Sequence, residues 1–193
     1  AMAKDLRFLV EKGRLADDEC QAILDRVQPA AKLEDLKTAG LVIEAVIENL
    51  DVKRDLFGRL ENLLGPEAIL ATNTSSISVT AVAAGLARPE RVAGLHFFNP
   101  APRMALVEVV SGLVTDPALI DCLVETARAW GKVPVRARST PGFIVNRVAR
   151  PYYAEPLRVL GERAGTPETL DAILRESCRF PMGPFELMDF IGH

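Results

Sequence analysis

The sequence predicts an α/β protein: a doubly wound, mainly parallel sheet, entered through a helical hairpin and followed by an all-helical C-terminal domain. Three observations carry this. Short apolar runs alternate with amphipathic helical stretches between about Pro29 and Pro141. Those runs are nearly continuous in apolar residues, as strands covered on both faces are. After Pro141-Gly142 the alternation stops and only helical periodicity is left, which places a boundary there.

Each element follows from its pattern. Leu6, Leu9 and Val10 share one face of a helix over residues 3–12 that Gly13 ends, and residues 17–27 repeat the pattern, giving a hairpin over residues 3–28. LVIEAVI (41–47) and AILAT (68–72) read as strands flanking a helix over 51–64, whose apolar positions include Val52, Leu56, Leu60 and Leu63. A short helix over 79–86 leads into the strand VAGLHFF (92–98), then ALVEVV (105–110), a helix over 116–130 and a last strand, KVPVRA (132–137). Helices are then expected over 143–162, 167–177 and 184–191, with Pro151 and Pro156 inside the first and kinking it.

The totals exclude several function classes. With 193 residues, 49% of them hydrophobic, the chain is long enough for one sizeable core. A formal charge of -3 and the lack of any long block of like charges leave nothing to neutralise a phosphate backbone, so nucleic acid is not an expected partner. Cys20, Cys122 and Cys178 are odd in number and far apart, without a C-x-x-C. Neither a disulfide framework nor a metal site is indicated, and a reducing, cytoplasmic setting is expected. No apolar run reaches the roughly 18 residues of a membrane helix. The opening AMAKDLRFLVEKGR lacks the apolar centre and cleavage site of a signal peptide, so no membrane association is expected. Ala1 ahead of Met2 is read as the remnant of a cleaved tag.

His96 is the only histidine away from the terminus, and it ends an apolar strand just before Asn99-Pro100. Side chains at the carboxyl ends of strands face the crevice where open α/β sheets bind ligands. From position alone it could equally be a hydrogen-bonded core histidine. Glu108 interrupts the apolar strand ALVEVV, where an unpaired carboxylate is costly, so it needs a partner. The loop over 99–104 is long enough to set the two strands side by side. The carboxylate would then hold one ring nitrogen and leave the other free, fixing the tautomer and favouring the imidazolium, as a general base for an alcohol requires. A structural ion pair with Lys or Arg is the other reading.

Asn73-Thr74-Ser75-Ser76 follows one strand and precedes a helix, either as a capped turn or as part of a site on the same rim as His96. Asn146, in TPGFIVNR, either points to solvent or reaches into an interdomain cleft.

LVIEAVIENLDVKRDLF, ILATNTSSISVT, GLHFFNPAPRMALVEVV, STPGFIVNRVARPYYAE and MGPFELMDFIG, in this order and spacing, closely resemble the NAD-dependent L-3-hydroxyacyl-CoA dehydrogenase family. The resemblance runs from about Leu33 to the end and, more weakly, through the opening hairpin. It implies a partial Rossmann-type NAD-binding domain over 1–140 and the start of a helical substrate and dimerisation domain over 141–193. It implies an acyl-CoA substrate, NAD as cofactor, a homodimer or higher homo-oligomer, and a reaction of the fatty acid β-oxidation type. His96 would take the proton of the 3-hydroxyl and Glu108 would orient it, while Ser75 and Asn146 would position the reacting oxygen or the thioester carbonyl. Glu48, Lys53, Asn73, Ser75 and Asn99 match positions lining the nicotinamide and ribose end of NAD.

The chain departs from that family in one respect. None of its glycines has G-x-G-x-x-G spacing, so the phosphate-cradling loop and the acidic residue expected after it are absent from these residues. In the family those parts precede the hairpin, so the resemblance implies a chain shortened there and at the end of the helical domain. The strand LVIEAVI would then carry an unpaired edge, covered by another copy, unless the helical domains of two copies pack together. The competing readings are an inactive remnant or interaction module of the family, and a relative acting on a non-CoA hydroxy acid.

Overall fold

A computed structural model describes residues 2–192; Ala1, read above as a tag remnant, and His193 lie outside them. The five strands β1 (Leu41–Glu44), β2 (Ile69–Thr72), β3 (Val92–Phe97), β4 (Leu106–Ser111) and β5 (Val133–Arg138) lie side by side in chain order. β1, β2 and β3 are parallel, β4 is antiparallel to β3, and β5 is parallel to β4. The α/β class and the mainly parallel sheet are as the sequence predicts.

The hairpin is α1 (Met2–Glu11) and α2 (Asp17–Asp25), with Gly13 at φ 65 just past the first helix. Both faces of the sheet are covered, and the two-residue strand period sorts the core. Leu70, Val92 and Val110 pack with Phe57 and Leu60 of α3 (Leu50–Leu63) and Val79 and Val82 of α4 (Val79–Ala83). Their neighbours Ala71, Ala93, Leu95 and Val109 pack with Leu119, Leu123 and Ala127 of α5 (Pro117–Ala129) on the other side. Each of the larger side chains contributes about 1.5–3 kcal/mol on full burial.

Gly94 marks the closest approach, because a Cβ there would stand 2.8 Å from Val110 Cβ and 3.0 Å from Val79 Cγ2. The missing side chain lets α4 lie against β3 directly over the strand that carries His96.

Two expected elements differ. The strand read over 41–47 ends at Glu44, because its carboxylate turns back to accept the Val46 N–H at 2.6 Å. Three residues on, Asn49 Oδ1 accepts the N–H groups of Asp51 and Val52 at 3.0 and 3.1 Å and starts α3. The short helix read over 79–86 likewise stops at Ala83.

The helix read over 143–162 is broken in two, α6 (Val145–Ala149) and α7 (Pro151–Gly161), and Phe143 is excluded from it by a φ of 47°. Pro151 does not kink a helix from within; it stands at the first position of α7, where the ring's missing N–H has no intrahelical partner to lose. Pro156 does lie inside α7. α8 (Pro167–Glu176) and α9 (Pro184–Ile191) complete the fold, joined by the buried Asp171, whose carboxylate accepts the Phe185 and Glu186 N–H groups at 2.9 and 3.1 Å. Among the described residues no helix is long and apolar enough to cross a membrane.

Candidate active site

His96 and Glu108 are direct partners in the β3–β4 register. Both fall on the α3/α4 face, since their neighbours Leu95 and Val109 belong to the opposite core. His96 Nδ1 lies 2.7 Å from Glu108 Oε2, and Glu108 is fully buried. The other carboxylate oxygen, Oε1, accepts the backbone N–H groups of Ile144 and Val145 at 2.9 and 3.0 Å. One buried carboxylate therefore holds both the imidazole and the first turn of the helical segment. A carboxylate on Nδ1 fixes the proton there and leaves Nε2 as the acceptor. Nε2 makes no hydrogen bond among the described residues and is not sealed from the surface.

The rings of Phe98 and Phe143 flank the imidazole, with centroids 4.7 and 5.7 Å away. Phe143 holds a left-handed backbone, a conformation that costs a non-glycine residue about 1–3 kcal/mol and persists where the surroundings determine it. Here the two N–H groups that follow it are both anchored on Glu108.

A second cluster lies at the carboxyl ends of β1 and β2. Lys53, on the first turns of α3, is 1% exposed, and its Nζ lies 2.7 Å from Glu44 Oε1 and 3.2 Å from Glu48 Oε2. Glu44 Oε2 accepts the Thr72 hydroxyl at 2.7 Å. Glu48 Oε1 accepts the Thr74 hydroxyl, the Ser75 and Ser76 N–H groups at 3.1 and 3.2 Å, and the Ser76 hydroxyl at 3.0 Å. Burial alone would raise the Glu48 carboxyl. Hydrogen bonds from Thr74, Ser76 and Lys53, together with the Lys53 charge, outweigh that and hold it down at about 2.

The residues singled out from sequence are joined through these bonds to different degrees. Ser75 is held by Glu48, and its carbonyl accepts the Asn146 side-chain amide at 3.3 Å, so the turn after β2 meets the start of α6. Asn73 Oδ1 accepts the Phe97 N–H at 2.9 Å and ties the end of β3 to the same turn. Asn99 is exposed at the rim in a cis peptide with Pro100, and no bond joins it to the others.

Sequence reasoning missed Glu44, Thr72 and Phe143, and named Thr74 only as a member of the turn over 73–76. Glu44 carried a signal: it interrupts LVIEAVI just as Glu108 interrupts ALVEVV. Among the described residues, no group of three or more His, Cys, Asp or Glu could hold a metal ion.

The mainly parallel sheet thus carries a histidine–carboxylate pair across its antiparallel β3–β4 pair and a polar turn after β2, and similarity to known proteins gives the class of protein. Residues 1–140 match the family described as "3-hydroxyacyl-CoA dehydrogenase, NAD binding domain", and residues 142–193 match "3-hydroxyacyl-CoA dehydrogenase, C-terminal domain". The chain belongs to the 3-hydroxyacyl-CoA dehydrogenase family of oxidoreductases.

It is 55% identical to the 3-hydroxyadipyl-CoA dehydrogenase of Escherichia coli K12, over 97% of this chain and 39% of that protein. It is 40% identical to the 3-hydroxybutyryl-CoA dehydrogenase of Clostridioides difficile, over 98% of this chain and 67% of that protein. The solved structure of a 3-hydroxybutyryl-CoA dehydrogenase from Escherichia coli K12 superposes with a TM-score of 0.96 at 53% identity, covering 98% of this chain and 40% of that one. The chain thus spans from about two-fifths to two-thirds of the length of these relatives.

Proposed function

We propose that the protein containing this chain oxidises an L-3-hydroxyacyl-CoA to the 3-ketoacyl-CoA with NAD, in the manner of fatty acid β-oxidation. The observation that carries this is the 2.7 Å pairing of His96 Nδ1 with the buried Glu108, which leaves Nε2 to receive a proton. His96 takes the proton of the 3-hydroxyl at Nε2. Glu108 keeps the other ring nitrogen protonated and balances the imidazolium as it forms. Positioned general-base catalysis of this kind contributes roughly 10²–10⁴-fold.

Asn146 gives one side-chain N–H to the Ser75 carbonyl and keeps its second for an oxygen of the substrate. The Ser75 hydroxyl stands on the same turn and is assigned to the reacting oxygen or the thioester carbonyl. NAD, when bound, supplies the acceptor for the hydride that leaves the same carbon. Its nicotinamide and ribose end is assigned to Glu48, backed by Lys53, with Asn73, Ser75 and Asn99; the Glu48 side chain is 38% exposed. Its phosphates find no G-x-G-x-x-G loop in these residues.

NADH formation from 3-hydroxybutyryl-CoA tests the reading, comparing the chain, a version preceded by a glycine-rich nucleotide-binding unit, and His96→Ala in each. Turnover that depends on His96 in either form is the expected result. No turnover in both forms, with 3-hydroxyadipyl-CoA and long-chain substrates also tried, would leave an interaction module of the family as the better account.

The remaining assignments are part of the same proposal. Residues 1–140 form the cofactor-side unit of Rossmann type, and residues 141–193 begin the helical substrate and dimerisation unit. A homodimer or higher homo-oligomer is supported by large apolar side chains left exposed on the helical segment, Val148 at 73% and Phe190 at 77% among them. The free thiols of Cys20, Cys122 and Cys178 support a cytoplasmic setting.

A further inference from the structure

We propose that Glu44 is a positioning residue for the cofactor side of the site, acting through Lys53 on Glu48 and the turn over 73–76. The inference rests on the dehydrogenase reading above. Lys53 is the link: it is 1% exposed and its ammonium is bonded to both carboxylates.

Charge and shared acceptors tie Glu44 to the turn. A buried ammonium requires a close, hydrogen-bonded counter-charge. Glu44 supplies it at 2.7 Å, while Glu48 stands further off at 3.2 Å. Glu44 is itself fixed from three directions, by Lys53 and the Val46 N–H on Oε1 and by the Thr72 hydroxyl on Oε2. With Lys53 neutralised from within the sheet, Glu48 keeps its own Oε1 on the turn, where it gathers the Thr74 and Ser76 hydroxyls and the Ser75 and Ser76 N–H groups.

Removing the Glu44 charge leaves Glu48 as the sole counter-ion of a buried cation. Glu48 is drawn toward Lys53, and the turn that carries Ser75 loses its common acceptor. Thr72→Val acts in the same direction more weakly, since it removes only one of the bonds that hold Glu44.

The test uses whichever form turns over in the assay above. Glu44→Gln is expected to raise the KM for NAD about tenfold or more, the scale of a lost charge-assisted contact, and to weaken NADH binding in a fluorescence titration to match. The KM for 3-hydroxybutyryl-CoA is expected to rise too, because Ser75 lies on the same turn, but by clearly less than the KM for NAD, since His96 and Asn146 hold the substrate from other elements. Thr72→Val should show the same split, smaller. Asp171→Asn, a buried carboxylate on α8 away from this cluster, controls for lost stability: its Tm falls and its KM for NAD does not move.

Equal changes in both KM values, or a KM for NAD that follows Tm in all three variants, would overturn the inference. If Glu44→Gln does not fold, Thr72→Val decides by the same criterion. A parent protein that neither binds NADH nor turns over would instead remove the dehydrogenase reading, and this inference with it.

Discussion

At the scale of single residues, the site depends on where protons sit. Glu108→Gln keeps an oxygen for the Ile144 and Val145 N–H groups but offers an amide N–H to Nδ1. The ring must then accept at Nδ1 and carry its proton at Nε2, the nitrogen that should take the hydroxyl proton. Steady-state kinetics are expected to show kcat down by about 10²–10⁴-fold with the fold retained.

Glu48 allows a prediction of acid stability. Its carboxyl is held at about 2 in the folded chain, below its ordinary value of 4.5, so the folded state favours the ionised form. The stabilisation is fully present above the unfolded value and is lost as pH falls from there through about 2. Chemical denaturation of Glu48→Gln at a series of pH values should show a flatter loss of stability across that window than the parent chain.

The pairing of His96 with Glu108 was legible because a carboxylate inside an apolar strand demands a partner. Glu44 bore the same mark. Its partner Lys53 lies nine residues on, on the next helix, and only the β1–α3 turn brings the two together. Phe143 bore none, because nothing in a phenylalanine announces a positive φ.

At the scale of elements, close packing and capping are the sensitive points. Gly94→Ala puts a methyl group against Val110 and Val79 in a fully buried layer, and overpacking of this kind costs about 1–3 kcal/mol. Thermal or urea denaturation of that variant checks it. Asp171→Asn keeps an oxygen but gives up the charge that faces the N-terminus of α9, with an expected loss of about 0.5–2 kcal/mol, read from the same melts.

Element type was legible throughout the sheet because its strands are short, nearly continuous apolar runs set between amphipathic helical stretches. Boundaries were less so where side chains decide them. The Glu44 carboxylate ends β1 before its apolar run ends, and the Phe143 backbone with Pro151 splits what periodicity alone reads as one helix.

At the scale of the whole molecule, the register of β3 with β4 brings the imidazole and carboxylate together, and the bonds from Glu108 to residues 144 and 145 tie the sheet to the helical segment. β1 stands at one edge of the sheet with Ile43, Val46 and Ile47 exposed on and just after it. An unpaired apolar edge invites a further strand or a second copy. Light scattering behind size exclusion is expected to report a dimer or larger, and a monodisperse monomer would contradict the oligomer.

In the proposed reaction His96 and Glu108 work as one proton-transfer unit. A double-mutant cycle on kcat tests it most directly, with His96→Ala, Glu108→Gln and the pair combined in the form that turns over. Acting as a unit, each single variant should lose about 10²–10⁴-fold and the double variant little more than either. Losses that multiply in the double variant, or a single variant that keeps the parent kcat, would contradict the account.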